Sequence, residues 1–164
     1  MTNKEVHFEK IIAQLETKGI RVTDSDFDRP WGGFLVINEE DADKFIEAFF
    51  PAYKKEDLLI GNKLSPKILV VGPKQRLSWQ YHFRRAEIWR VIKGEVGVVR
   101  SEDDEQKQIE RFKSGDIIIL SKGMRHRLVG LDDWGVLAEI WQHTDPENPS
   151  DEDDIVRLQD DYGR

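Results

Sequence analysis

A chain of 164 residues that is 38% hydrophobic and carries five tryptophans and eight phenylalanines has the material for one domain with a real core, which excludes a disordered chain. A formal net charge of −7, with 35% of residues charged, argues against a nucleic-acid partner. The absence of cysteine excludes disulfides and thiolate metal sites and fits a reducing compartment.

The opening MTNKEVHFEKIIAQ lacks the apolar run of a signal peptide, and no segment reaches the apolar length of a membrane span. A cytoplasmic protein with no membrane partner is expected. Phe8, Ile11, Ile12 and Leu15 recur at helical spacing, and Gly19 follows as a stop. DFDRPWGGFLVI then turns through Pro30, Gly32 and Gly33 into one short strand. NEEDADKFIEAFFPAY predicts a second helix, with Asn38 as cap, an apolar face of Phe45, Ile46, Phe49 and Phe50, and Pro51 as its end.

From Leu64 the pattern changes to short strands separated by turns. Strands are predicted at 67–71, 77–83, 87–93, 95–100, 106–112, 116–120, 126–131 and 135–142, with Gly94, Gly115 and Gly123 among the turn residues. This indicates an antiparallel sandwich or barrel. The chain divides into N-terminal helices and first strand (1–65), barrel core (66–143) and an acidic tail (144–164) expected to pack outside the sheet. The SEDDE and SDEDD runs read as solvated loops.

One stretch, LSWQYHFRRAEIW at 77–89, carries the candidate chemistry. Strand alternation puts Ser78, Gln80, His82 and Arg84 on one face and Leu77, Trp79, Tyr81 and Phe83 on the other. Gln80, His82, Glu87 and the distant His126 of SKGMRH make four nitrogen and oxygen donors, the number zinc takes. Spacing alone equally fits ordinary polar residues on a solvated face. His7 and His143 read as surface residues. Trp31, Trp89, Trp134 and Trp141 read as core aromatics, and Asp116 as a turn residue.

The order of these segments resembles the two cupin motifs, the first ending at Gly94 and the second running from Gly115 to His126. The match narrows to the type II mannose-6-phosphate isomerase family, which includes the isomerase domain of bifunctional mannose-1-phosphate guanylyltransferases. Leu77, Ser78, Gln80, His82, Arg85, Ala86, Glu87 and Trp89 match its signature. DRPWGGF, Glu139 with Gln142, and DEDDIVRLQDDYGR resemble three further motifs. The resemblance implies an all-β fold, a cupin-type double-stranded β-helix with peripheral N-terminal helices. It implies interconversion of mannose 6-phosphate and fructose 6-phosphate, and a divalent metal, zinc, held by Gln80, His82, Glu87 and His126.

Such an isomerisation moves a proton between neighbouring carbons through an enediol. It needs a base, stabilisation of a developing oxyanion, and cations for the phosphate. Glu139 is the candidate base and Arg85 the second catalytic candidate. Arg85 and Arg157 match family arginines and are assigned to phosphate or substrate contact, with a salt bridge beside Asp153, Asp154 and Asp160 the competing reading of Arg157. Lys74 and Lys122, in turns beside the two motifs, are further phosphate candidates, and Gln142 a further substrate contact. The face that Glu139 takes is not readable from the sequence.

Two positions depart from the family pattern: Arg84 stands where a second histidine is expected, and Ile88 follows Glu87. A cation beside a dication is repelled by about 4 kcal/mol per unit-charge pair at contact under an effective dielectric near 20. Either Arg84 turns away at the strand end and leaves the four donors, or its guanidinium pairs with Glu87 and replaces the metal. The alternative function is a non-catalytic cupin that binds a sugar or sugar phosphate through a decayed centre. An isomerase or epimerase of another sugar is a third reading. A homodimer is left open.

Overall fold

The computed structural model describes residues 2–59 and 63–163; Met1, residues 60–62 and Arg164, the last residue of the C-terminal motif, lie outside them. The first helix, α1 (Asn3–Thr17), begins at a capping box in which Thr2 Oγ1 accepts from Glu5 N and the Glu5 carboxylate accepts from Thr2 N. It ends at Gly19, whose φ of 72° takes the left-handed backbone. Strands β1 (Val22–Asp26) and β2 (Gly32–Ile37) form an antiparallel pair. Asn38 caps a 3-10 turn over Glu39–Asp41 by accepting from Glu40 N, and α2 (Ala42–Phe49) and α3 (Lys55–Leu58) follow.

The barrel strands are β3 (Lys67–Val71), β4 (Trp79–Tyr81), β5 (Arg85–Lys93), β6 (Glu95–Ser101), β7 (Glu110–Lys113), β8 (Ile117–Leu120), β9 (Arg125–Gly130), β10 (Gly135–His143) and β11 (Val156–Gln159). They form two antiparallel sheets, ordered β1-β2-β3-β10-β5-β8 and β11-β4-β9-β6-β7. The central strands β3 and β10 of the six-stranded sheet are covered on both faces and are apolar runs with little polar alternation. Ile68 and Val70 of β3 and Val136, Ala138 and Ile140 of β10 pack outward against Phe8, Leu15, Phe45 and Phe50 from the helices. Leu69, Val71, Trp89, Val91 and Leu137 pack inward against Leu77, Val96, Val98 and Leu128. Each side chain so buried contributes about 1.5–3 kcal/mol of transfer free energy.

The structure extends the sequence reading at both ends. β1 was not foreseen, because VTDSD is polar and exposed and carries no alternating apolar signal. The segment after His143 does not stay outside the sheet: β11 pairs antiparallel with β4, Arg157 standing opposite Gln80, and forms the edge of the five-stranded sheet. Asp154, inside a run read as solvated, is buried. Phe83, expected on an apolar face, is exposed, because β4 stops at Tyr81.

Candidate metal centre and cavity

Four strands bring the chemistry together. β4 and β9 pair with Gln80 opposite His126, and β5 turns Arg85, Glu87 and Trp89 to the interior. β10 pairs with β5 on its other side, and its odd-numbered residues Leu137, Glu139 and Trp141 share that face. Gln80, His82, Glu87, His126 and Glu139 all line one cavity of about 460 Å³.

The candidate metal atoms of His82, Glu87 and His126 lie within 4.8 Å of one another, and all three residues are buried. His126 Nε2 is 3.1 Å from Glu87 Oε1 and His82 Nε2 is 3.7 Å from Glu87 Oε2. On the far side of each ring stands a backbone carbonyl: Asp154 O at 2.7 Å from His82 Nδ1 and Met124 O at 3.0 Å from His126 Nδ1. A carbonyl only accepts, so each Nδ1 carries hydrogen, and each ring turns its Nε2 toward Glu87. Burial pushes His82 down to about 4, against the opposing pull of Glu87, which keeps it neutral at pH 7. Burial alone would raise the Glu87 carboxyl, but Arg85 and the two histidines outweigh it and hold Glu87 well below the usual carboxylate range. At 3.1 Å the contact between His126 Nε2 and Glu87 Oε1 is attractive with a proton or a metal cation between the two atoms. Two imidazole nitrogens and a carboxylate so arranged fit a divalent metal. Gln80 lines the same wall, its amide nitrogen donating to Ser78 O at 3.4 Å.

Arg84 takes the first of its two expected courses, and the contact with Glu87 is made by its neighbour Arg85. The Asp154 carboxylate accepts from the backbone of Phe83 (2.9 Å) and Arg84 (3.0 Å), which fixes the bend after β4 and breaks the alternation. Arg84 then turns away: its guanidinium donates to Asn148 Oδ1 and Pro149 O, each at 2.8 Å, and pairs with Asp151. The next residue takes the interior. Arg85 Nε donates to Glu87 Oε2 at 3.0 Å, Nη2 stands 3.2 Å from His82 Nε2, and Nη1 donates to Ser150 Oγ (2.9 Å) and Asp151 O (3.0 Å). Its plane lies 3.6 Å over the Trp141 ring.

Glu139 faces the cavity, with an indole N–H on each oxygen: Trp89 Nε1 donates to Oε2 at 2.7 Å and Trp141 Nε1 to Oε1 at 3.0 Å. The tryptophans read as core aromatics thus also act through their polar edges. Burial, then the charge of Glu87, push the Glu139 carboxyl up to about 8.

The remaining sequence candidates divide. Arg157 lines the cavity from β11. Lys74 does not line it: exposed in its turn, it pairs with Asp132 at 2.7 Å. Lys122 is exposed in the turn between β8 and β9 and is off the cavity wall. Gln142 is on the opposite face of β10 from Glu139 and Trp141 and also lies off the cavity. His143, read as a surface residue, is buried, with Ser65 Oγ at 3.0 Å from Nε2 and Ser150 N donating to Nδ1 at 2.9 Å.

Three contributors escaped the sequence reading. Lys67 opens β3 and lines the cavity. Its signal was present: a lysine two and four residues before Leu69 and Val71 shares their inward face. Ser150 and Asp154 hold Arg85 and the bend after β4 from the tail, which no local pattern announces.

A barrel of two antiparallel sheets with a buried His/Glu/His group on its inner wall defines a cupin. Two solved structures share the fold: oxalate decarboxylase from Bacillus subtilis (TM-score 0.58, 14% identity, 83% of this chain and 30% of that one) and vicilin from hazelnut, Corylus avellana (0.55, 18%, 87% and 36%). Within that class, the chain belongs to the family described as mannose-6-phosphate isomerase, C-terminal, which matches residues 38–160. It is 32% identical over 136 residues to the xanthan biosynthesis protein XanB of Xanthomonas campestris pv. campestris, which aligns over 83% of this chain. The chain spans only 23% of that relative's length.

Proposed function

We propose that the protein is an aldose–ketose isomerase of a sugar phosphate, interconverting mannose 6-phosphate and fructose 6-phosphate. The observation that carries this reading is Glu139, a buried carboxylate gripped by two indoles on the same cavity as the His82/Glu87/His126 group. A carboxyl titrating near 8 is poised to take a proton from one carbon and return it to its neighbour. The two indole donors fix the orientation of the Glu139 carboxyl in the cavity. His82, Glu87 and His126 would hold a divalent metal, zinc being the expected one, which when bound polarises sugar oxygens. Arg85 fixes the orientations of Glu87 and His82 through its own hydrogen bonds. Family membership supports the reaction class.

The second reading, a non-catalytic sugar-phosphate-binding cupin, draws on Arg84, which stands where the family has a second histidine and turns away from the cavity, leaving one donor fewer. The deciding experiment is an assay of hexose-phosphate interconversion on protein purified without chelator, with and without added zinc, cobalt or manganese. Turnover supports the isomerase; binding of mannose 6-phosphate without turnover under every metal supports the binding module.

A further inference from the structure

Lys67 is a cation in a place that demands an anion. Its side chain is 8% exposed on the cavity wall, and its ammonium stands 3.1 Å from the Trp141 ring centroid. Burial lowers its pKa from the ordinary value, opposed by the charges of Glu139 and Glu152. Both oxygens of Glu139 are held by indoles. The ion pair of Lys67 is instead with Glu152 Oε1, 3.4 Å away, on a side chain that is 59% exposed.

Glu152 belongs to the segment between β10 and β11, which is fastened on both sides of it. Arg85 donates to Asp151 O on one side, and the Asp154 carboxylate accepts from Phe83 and Arg84 on the other. The backbone is fixed, while the carboxylate lies at the cavity mouth with water beside it. A buried ammonium is costly without an anion, but nothing ties Lys67 to this anion in particular. A phosphate carries up to two charges and three acceptor oxygens, more than a carboxylate offers one lysine. Arg157 lines the same cavity and adds positive charge.

We propose that Glu152 is a resident counter-anion seated in the phosphate subsite, and that a phosphorylated ligand enters by anion exchange, its phosphate taking Lys67 as the Glu152 carboxylate swings into water. No bond is made or broken. The identity of the sugar rests on the isomerase reading; the exchange at Lys67 does not.

The test is calorimetric titration of the whole chain with inorganic phosphate and, separately, with mannose 6-phosphate and unphosphorylated mannose, in chloride buffer. Glu152→Gln should bind phosphate roughly tenfold more tightly than the parent, and Lys67→Met roughly tenfold more weakly. Lys67→Arg should retain binding, and neither Lys67 variant should alter affinity for mannose. Asp153→Asn removes the same charge one residue along the same mouth without touching Lys67, so it should change phosphate affinity much less than Glu152→Gln. Equal affinities in Glu152→Gln and the parent, or equal gains in Glu152→Gln and Asp153→Asn, would overturn the exchange. Should Lys67→Met fail to fold, the comparison of Glu152→Gln with Asp153→Asn decides alone. Isomerisation by the parent is measured separately: its absence removes the isomerase reading and leaves the exchange standing on the phosphate data.

Discussion

Arg85 Nε lies 3.0 Å from Glu87 Oε2, inside the cavity that its neighbour Arg84 leaves for Asn148 and Pro149. The arginine that replaces a family histidine is therefore not the one that contends with a metal. Arg84→His should leave divalent-metal affinity within about twofold of the parent, as expected when a substitution lies clear of the site. Arg85→Gln removes the charge from Glu87 and His82, and should tighten metal binding by at least roughly tenfold, a fraction of the contact repulsion of unit charges. Competition with a coloured chelator measures both. A tenfold gain in Arg84→His would mean that Arg84 reaches the metal.

His126→Ala removes one of the two imidazole nitrogens facing Glu87. Deleting a direct donor should weaken metal binding by at least about a hundredfold, at or beyond the upper end of what outer partners contribute. Metal content after dialysis against a graded chelator reads this. Unchanged retention would place the metal elsewhere.

Glu139→Gln should lower kcat by about 10²–10⁴, the usual worth of a general base, with KM nearly unchanged. Only the deprotonated carboxylate accepts a proton, so the parent's kcat should climb with pH through about 8. The Trp89 hydrogen bond lowers the Glu139 pKa, so Trp89→Phe should move that limb to higher pH. A limb that stays in place in Trp89→Phe would assign the titration to another group.

Stability should also depend on pH. Burial, followed by the charges of Lys63 and Arg85, holds His143 down at about 4 from an ordinary 6.5. Between those values the unfolded chain binds a proton that the folded chain refuses. The His143 contribution is thus full above about 6.5, falls as pH drops toward 4, and levels off below. His82, also held at about 4, contributes with the same sign, while Glu139, raised to about 8, contributes with the opposite sign. His143→Asn should shift the slope of the urea midpoint between pH 6.5 and 4 toward less loss of stability on acidification. An unchanged slope would show that His143 does not titrate there.

The barrel was legible because its strands announce themselves. Glycines with φ of 79° at Gly94 and 80° at Gly123 sit at predicted turns, and runs such as KILVV and GVLAEIW are apolar on two faces. Alternation also put Gln80 and His82 on one wall. It failed at Arg84 because it holds only while the strand does, and β4 ends at Tyr81 under the grip of a residue some seventy positions later. Lysine on an apolar strand, as at Lys67, was readable in principle. The choice among Lys74, Lys122 and Gln142 was not, since nearness to a motif in sequence says nothing about which face a turn or strand offers.

The docking of β11 and the segment before it has a consequence for the order in which the site comes into being. The Asp154 carbonyl that pins the His82 tautomer comes 72 positions after the ring it controls. Until that late segment settles, the imidazole is free to carry its hydrogen on either nitrogen, and Arg85 lacks its Ser150 and Asp151 acceptors. The apolar interior between the two sheets is built largely from other strands, whereas the hydrogen-bond frame of the site depends on this segment. A nick or detachment in this segment would thus leave a folded barrel with an electronically unfinished centre.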